Sequence, residues 1–189
     1  MATNAQDLSE LPRRPLRRVE YDALVEQGFL DDEGVELLEG TLVYASEEGP
    51  DHAVIIRRLL RILIESIPAS EGEIGAGNPI AATDVSEPEP DISVFPPGGA
   101  YRAHHPTTAS LLVEVSKTSL RRDVTIKARI YAQAQVVDYW VVDVANRRIT
   151  LHRDPKGDGY CKVTRHRDGV VRPLRHPGVE IDVMALFAQ

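Results

Sequence analysis

Asp91 follows Pro90 at the start of a short apolar run, and Glu114 stands inside another, Ser110-Leu-Leu-Val-Glu-Val-Ser116, 23 residues further on. Burying an unpaired carboxylate is expensive, so Glu114 needs a cation, a metal or a hydrogen-bond donor beside it. Strand alternation puts Leu112, Glu114 and Ser116 on one face. Where the two runs pair as strands, both carboxylates meet at the edge of the sheet. Two hard carboxylates with waters are natural ligands for magnesium, or for manganese in its place. Such an ion activates water and neutralises charge on a phosphodiester transition state.

That chemistry calls for a lysine near Glu114. The position two residues on is Ser116, but Asp123, Lys127 and Tyr131 follow at helical spacing and share one stripe. The long stem of Lys127 is expected to reach back over the sheet toward Ser116. Lys117 is expected on the opposite face by alternation. His52 falls beside Ile55, Ile56 and Leu59 on the apolar side of its helix, as an active-site wall, a base or a satisfied core histidine. Asp143, at a strand end, suits a cap or an ion pair. His104 and His105 lack a third ligand nearby, Cys161 reads as a small core residue, and Trp140 reads as core packing. No phosphate-binding glycine loop, nucleophile elbow or His-Glu-x-x-His pattern is present.

The elements that must position these residues follow a mixed α/β order. A short helix over 19–27 ends at Gly28, and two short strands in 35–45 turn at Glu39-Gly40. Asp51 is expected to cap a helix over 53–67, which Pro68 ends. A weak strand is expected near Ile80, then strands over 92–95 and 110–116, a helix over 121–135 and a buried strand within 136–144. The segments 147–152 and 160–166 alternate as an antiparallel pair, and 178–187 gives a last strand and a helical turn. One central sheet with helices on its faces accommodates this order.

Taken together, Pro90-Asp91, Leu-Leu-Val-Glu114-Val-Ser116-Lys-Thr-Ser119, the Asp123/Lys127/Tyr131 stripe and Asp138-Tyr139-Trp140-Val-Val-Asp143 resemble the Uma2 family. The earlier Glu36-Leu-Leu-Glu39-Gly40, followed by the His52-led helix, carries the same resemblance. These are proteins of the PD-(D/E)xK, restriction-endonuclease-like superfamily, and the resemblance spans roughly residues 18–187. It implies an α/β restriction-endonuclease-like fold with a central mixed sheet. It implies Asp91 and Glu114 as magnesium or manganese ligands and Lys127 as the lysine that positions water or stabilises charge. Glu39 matches an acid common in the family, which implies a third carboxylate of the catalytic site, for a second ion or as a general base, against the alternative of a solvated turn acid. The pattern favours a catalytic role for His52. The family's usual Ser-Pro-Ser-Thr is here Ser116-Lys117-Thr118-Ser119, and its Gly-Val-Pro-Glu-Tyr-Trp is Gln135-Val136-Val137-Asp138-Tyr139-Trp140.

Length and composition bound the reading. A chain of 189 residues with 42% hydrophobic and 27% charged residues makes one domain with its own core. Residues 1–17 read as a loose tail and 18–189 as the domain, with Arg13, Arg14, Arg17 and Arg18 clustered about their junction as a solvated leader or a basic arm for nucleic acid. The start of the chain has neither a basic nor an apolar segment of a secretory signal, no run spans a bilayer, and one cysteine excludes an internal disulfide. A cytoplasmic protein with no membrane partner is expected. The net charge is −7, yet residues 1–101 carry 7 basic and 20 acidic residues whereas 102–189 carry 15 and 9. The overall acidity argues against a non-specific nucleic-acid coat, while the basic second half is able to frame a polyanion cleft. The expected function is a metal-dependent endonuclease acting on nucleic acid, DNA foremost. A homodimer is compatible with cutting both strands. The rival reading is an inactive binding module for nucleic acid or protein on the same fold.

Overall fold

In the computed structural model, the described residues are 12–31, 33–46, 49–99, 101 and 103–188. The β-branched and aromatic runs build a six-stranded sheet in the order β3 (Glu73–Ala76), β4 (Ile92–Phe95), β5 (Leu111–Ser116), β6 (Asp138–Asp143), β7 (Arg148–Lys156), β8 (Gly159–His166). Neighbours pair antiparallel except β5 and β6, which run parallel. A parallel pair needs a crossover. Here it is a helical segment: α3 (Leu120–Arg122), a π turn (Asp123–Lys127) and α4 (Ala128–Gln133).

Period-two burial divides the sheet into two cores. Leu111, Val113 and Val115 face α2 (Pro50–Ser66) and the C-terminal α5 (Val183–Leu186), with Trp140 and Val142 beside them. On α2 the buried stripe is His52, Ile55, Leu59 and Leu63. Leu112, Tyr139 and Val141 face the crossover, against Ala128, Tyr131 and Val136. Glu114 is on the Leu112 face by alternation, which turns it toward the crossover helix.

Outside the sheet, α1 (Arg18–Glu26) precedes a hairpin of β1 (Val35–Leu38) and β2 (Thr41–Tyr44). Its turn at Glu39-Gly40 puts both residues at positive φ, 48° and 77°. A Cβ on Gly40 would stand 2.2 Å from that of Pro15, so the close approach needs glycine. A small antiparallel pair, β9 (Val170–Val171) and β10 (Ile181–Asp182), closes the fold before α5.

Several expectations change. The third strand is 73–76, not near Ile80; Ile80 is fully buried in a proline-rich stretch where Pro79, Pro88 and Pro90 cannot donate to a ladder. Gly49, not Asp51, is the N-cap of α2, and Asp51 lies in its first turn. Cys161 is exposed because β8 is an edge strand. The strand β9 was not expected. Residues 1–11 of the expected tail lie outside the described residues, but 12–17 are held: the Leu16 amide donates to the Gly40 carbonyl at 3.0 Å, and Arg14 pairs with Glu20. Arg18 is likewise committed, to Asp22 and Glu87. No helix among the described residues is long and apolar enough to cross a membrane.

Candidate active site

Asp91 stands just before β4, one step beyond the Ile92–Val113 pair, and that register places it opposite Glu114. Its Oδ2 accepts from the Val115 amide at 2.6 Å, and its Oδ1 lies 3.3 Å from Nε2 of buried His52. Both acids and His52 line one cleft of about 60 Å³. The helix α2 thus delivers His52 to the cleft on the same stripe that packs Ile55 and Leu59 into the core.

Lys127 is only 2% exposed, and its Nζ reaches Glu114 Oε1 at 2.9 Å and Glu36 Oε2 at 2.9 Å. The Glu89 carbonyl accepts from the same ammonium at 3.4 Å. Tyr131, one turn on, donates its hydroxyl to Glu114 Oε1 at 2.8 Å. Lys127 and Tyr131 of the expected stripe therefore meet at Glu114, although Lys127 does not fill the space at Ser116. That position belongs to Asp123, whose Oδ2 accepts from Ser116 Oγ at 2.7 Å and from Ser119 Oγ at 2.5 Å. In the π turn the Asp123 carbonyl accepts from the Ala128 amide and also from the Tyr139 hydroxyl, at 2.9 Å, which ties the turn to the sheet.

Burial is the largest influence on both ionisations. It pushes the Glu114 carboxyl well above the usual carboxylate range, with Lys127 opposing and Asp123, Asp91 and Glu36 adding. It pulls the Lys127 ammonium down, yet Glu114, Glu36 and Asp123 together outweigh it and the ammonium holds its proton tightly. Both directions coexist because Lys127 has a second acid, Glu36, as near as the first. The cleft is an acidic floor of Glu36, Glu89, Asp91 and Glu114, with Lys117, Thr118, Ser119 and Arg122 also lining it.

Glu39 does not join this group. At positive φ it turns outward and makes an exposed forked pair with Arg129, both contacts at 2.7 Å. Glu36, three residues earlier, supplies the third acid instead. Its strand is tied to the loop before β4 by Glu87 N donating to Leu37 O at 2.8 Å and Glu89 N donating to Glu36 Oε2 at 3.0 Å. The signal for Glu36 was the one that marked Glu114: an acid inside an apolar strand, here Val-Glu-Leu-Leu. Lys117 also departs from expectation and lines the cleft, because the chain leaves β5 at Ser116 and strand alternation ends there. Asp143 accepts from the Asn146 amide and from Arg148, so it holds a turn.

Residues 18–184 match the Uma2 family, described as "Putative restriction endonuclease". The chain belongs to the Uma2 family. Its mixed sheet flanked by helices recurs in a crystal structure from Anabaena variabilis, described as "a putative nuclease belonging to DUF820", with a TM-score of 0.64. That likeness covers 85% of this chain and 96% of the other at 15% identity, and it shows a shared fold. No curated protein matches. The Uma2 assignment brings with it a nuclease-like role.

A neighbouring buried acid gives this Uma2 chain a pH dependence. Burial pushes the Glu87 carboxyl up to about 7, with Asp22 adding and Arg18 opposing. Its folded-state pKa lies above the ordinary 4.5, so the folded protein holds the extra proton and stability falls as pH rises from about 4.5 to about 7. Glu87→Gln is expected to melt higher than the parent at pH 8 and alongside it at pH 4.5. Parallel melting curves across that range, with a constant gap or none, would contradict this.

Proposed function

We propose that the protein is a metal-dependent endonuclease that hydrolyses phosphodiester bonds in nucleic acid, with DNA as the foremost substrate. The observation that carries this reading is the placement of Glu114 opposite Asp91 and 2.9 Å from the ammonium of Lys127, inside one small cleft. The donor chemistry fits magnesium or manganese: Asp91 and Glu114 offer hard oxygens in an acidic cleft. Among the described residues, no group of three or more His, Cys, Asp or Glu is placed to hold a metal ion, so the protein would supply two ligands, Asp91 and Glu114. Waters and a substrate phosphate would complete the shell, which is the coordination magnesium favours. Once bound, the ion's contribution is to polarise the phosphodiester and to lower the pKa of the attacking water.

The chain's own groups do the rest. Tyr131 and Lys127 fix the Glu114 carboxylate, and the Val115 amide with His52 fixes that of Asp91. Lys127, its donors committed to Glu36, Glu114 and the Glu89 carbonyl, would act on the reacting phosphate through its charge and not by direct contact. The test is a cleavage assay with magnesium or manganese on single-stranded, duplex and branched DNA and on RNA. The parent is expected to cut at least one of these, and Asp91→Asn none. A parent that binds nucleic acid and cuts none of it with any divalent ion is the binding module, not the enzyme.

A further inference from the structure

We infer that Lys117 grips a phosphate of the bound nucleic acid, and that Asp51 masks it until nucleic acid arrives. This rests on the nuclease reading of the cleft and names a contact within it. The cations lining the cleft differ in what they have left to give. An ammonium has three donors, and Lys127 spends them on Glu36, Glu114 and the Glu89 carbonyl at 2.9, 2.9 and 3.4 Å. Turning any of them toward a substrate strips a partner from a buried acceptor. Arg122 is largely committed: it donates to the Tyr44 carbonyl at 3.0 Å and Ser46 Oγ at 2.9 Å and lies 3.6 Å from Glu36. Its buried Nε, 3.7 Å from Asp123, makes no hydrogen bond among the described residues and is not exposed to a ligand as Lys117 is. Its guanidinium fastens the end of β2 to the crossover helix.

Lys117 is free of such duty. Its side chain is 42% exposed, and its partner is Asp51 Oδ2 at 3.3 Å, itself 71% exposed. Exposed pairs of this kind are weak and exchange readily. The residue comes directly after the strand that carries Glu114, and it lines the same cleft as Glu114 and Asp91. Its stem crosses the start of α2, where a Cβ on Gly49 would stand 3.0 Å from Nζ. A flexible ammonium binds a phosphate as a point charge and needs no fixed fork. When a phosphate enters the cleft, the ammonium exchanges an exposed carboxylate for it, and Asp51 returns to solvent.

The test measures binding of labelled single-stranded and duplex DNA, without divalent ion, as a function of salt. Cleavage with magnesium is followed in parallel. Lys117→Gln is expected to weaken binding about tenfold irrespective of sequence and to reduce the slope of log affinity against log salt by about one. Lys117→Arg restores both. Asp51→Asn tightens binding in the parent and has no effect in the Lys117→Gln background, because the mask then covers nothing. If the parent binds or cuts and Lys117→Gln shows the same affinity and slope, this inference is wrong and the nuclease reading stands. If the parent neither binds nor cuts any nucleic acid, the nuclease reading is overturned and this contact with it.

Discussion

Replacing Lys127 with alanine is expected to cost about 3–5 kcal/mol of stability, the typical penalty for removing one partner of a buried ion pair. Its ammonium is the shared cation of Glu36 and Glu114, both nearly inaccessible to water. Without it, two like charges remain buried side by side. A lysine projecting from a helix into solvent toward a reacting phosphate would be removable without harm to the fold. At 2% exposure it is instead a structural member of the site. Urea denaturation at pH 8 measures the loss, read as a drop in midpoint at constant slope. The penalty is expected to shrink at pH 5, because the orphaned acids then neutralise themselves with protons, and to shrink in a Glu36→Gln background. A loss below about 1 kcal/mol at pH 8 would mean that the ammonium does not hold the two acids. The same variant is expected to lose cleavage. That loss carries mechanistic weight only in samples shown to be folded.

The parts of the site that sequence revealed were those with a simple period. Glu114 stood out because alternation made it the one acid in a six-residue apolar strand. Asp123, Lys127 and Tyr131 stood out because i, i+4, i+8 marks one helical stripe, and the π turn within it still leaves all three facing the sheet. What escaped notice depended on contacts distant in the chain. Glu36 and Glu39 are three residues apart, and either could have been the third acid. The choice is made by a positive φ that turns Glu39 outward to Arg129, and by the loop at 86–89 that closes over Glu36. The local pattern marked Glu36 as an acid inside an apolar strand, but the contacts that turn Glu39 away are not local. Residues 12–17 read as loose because they have few apolar side chains; the carbonyl of Gly40, brought near by the hairpin, holds them. Cys161 was misjudged because an edge strand and a central strand have similar sequences until the neighbour on the outer side is known to be missing.

Glu114→Gln is expected to move stability and function in opposite directions. Burial already makes the charged form of this carboxyl costly, and Asp123, Asp91 and Glu36 add to the cost. Glutamine keeps an oxygen able to accept from Lys127 and Tyr131 while removing the charge, and Glu36 continues to neutralise Lys127. The metal-free variant should therefore be at least as stable as the parent at pH 8. The sign follows from linkage: a carboxyl with a raised folded-state pKa loses stability as pH rises above its ordinary value, and glutamine has no such dependence. Any gain over the parent is thus expected to fade on acidification. With magnesium or manganese the order reverses. A ligand that binds only the folded state at a hundredfold excess over its Kd adds about 2.7 kcal/mol. The parent should melt higher with either ion and the variant should barely respond. Cleavage should fall about a thousandfold or more, since the ion stabilises transition-state charge by several kcal/mol and each factor of ten in rate is about 1.4 kcal/mol. Equal metal-induced shifts in parent and variant would remove Glu114 from the ion's coordination shell. A variant much less stable than the parent without metal would make the carboxylate a scaffold for Lys127 and not a ligand. A parent-like response to metal with cleavage lost would leave Glu114 acting on the substrate alone.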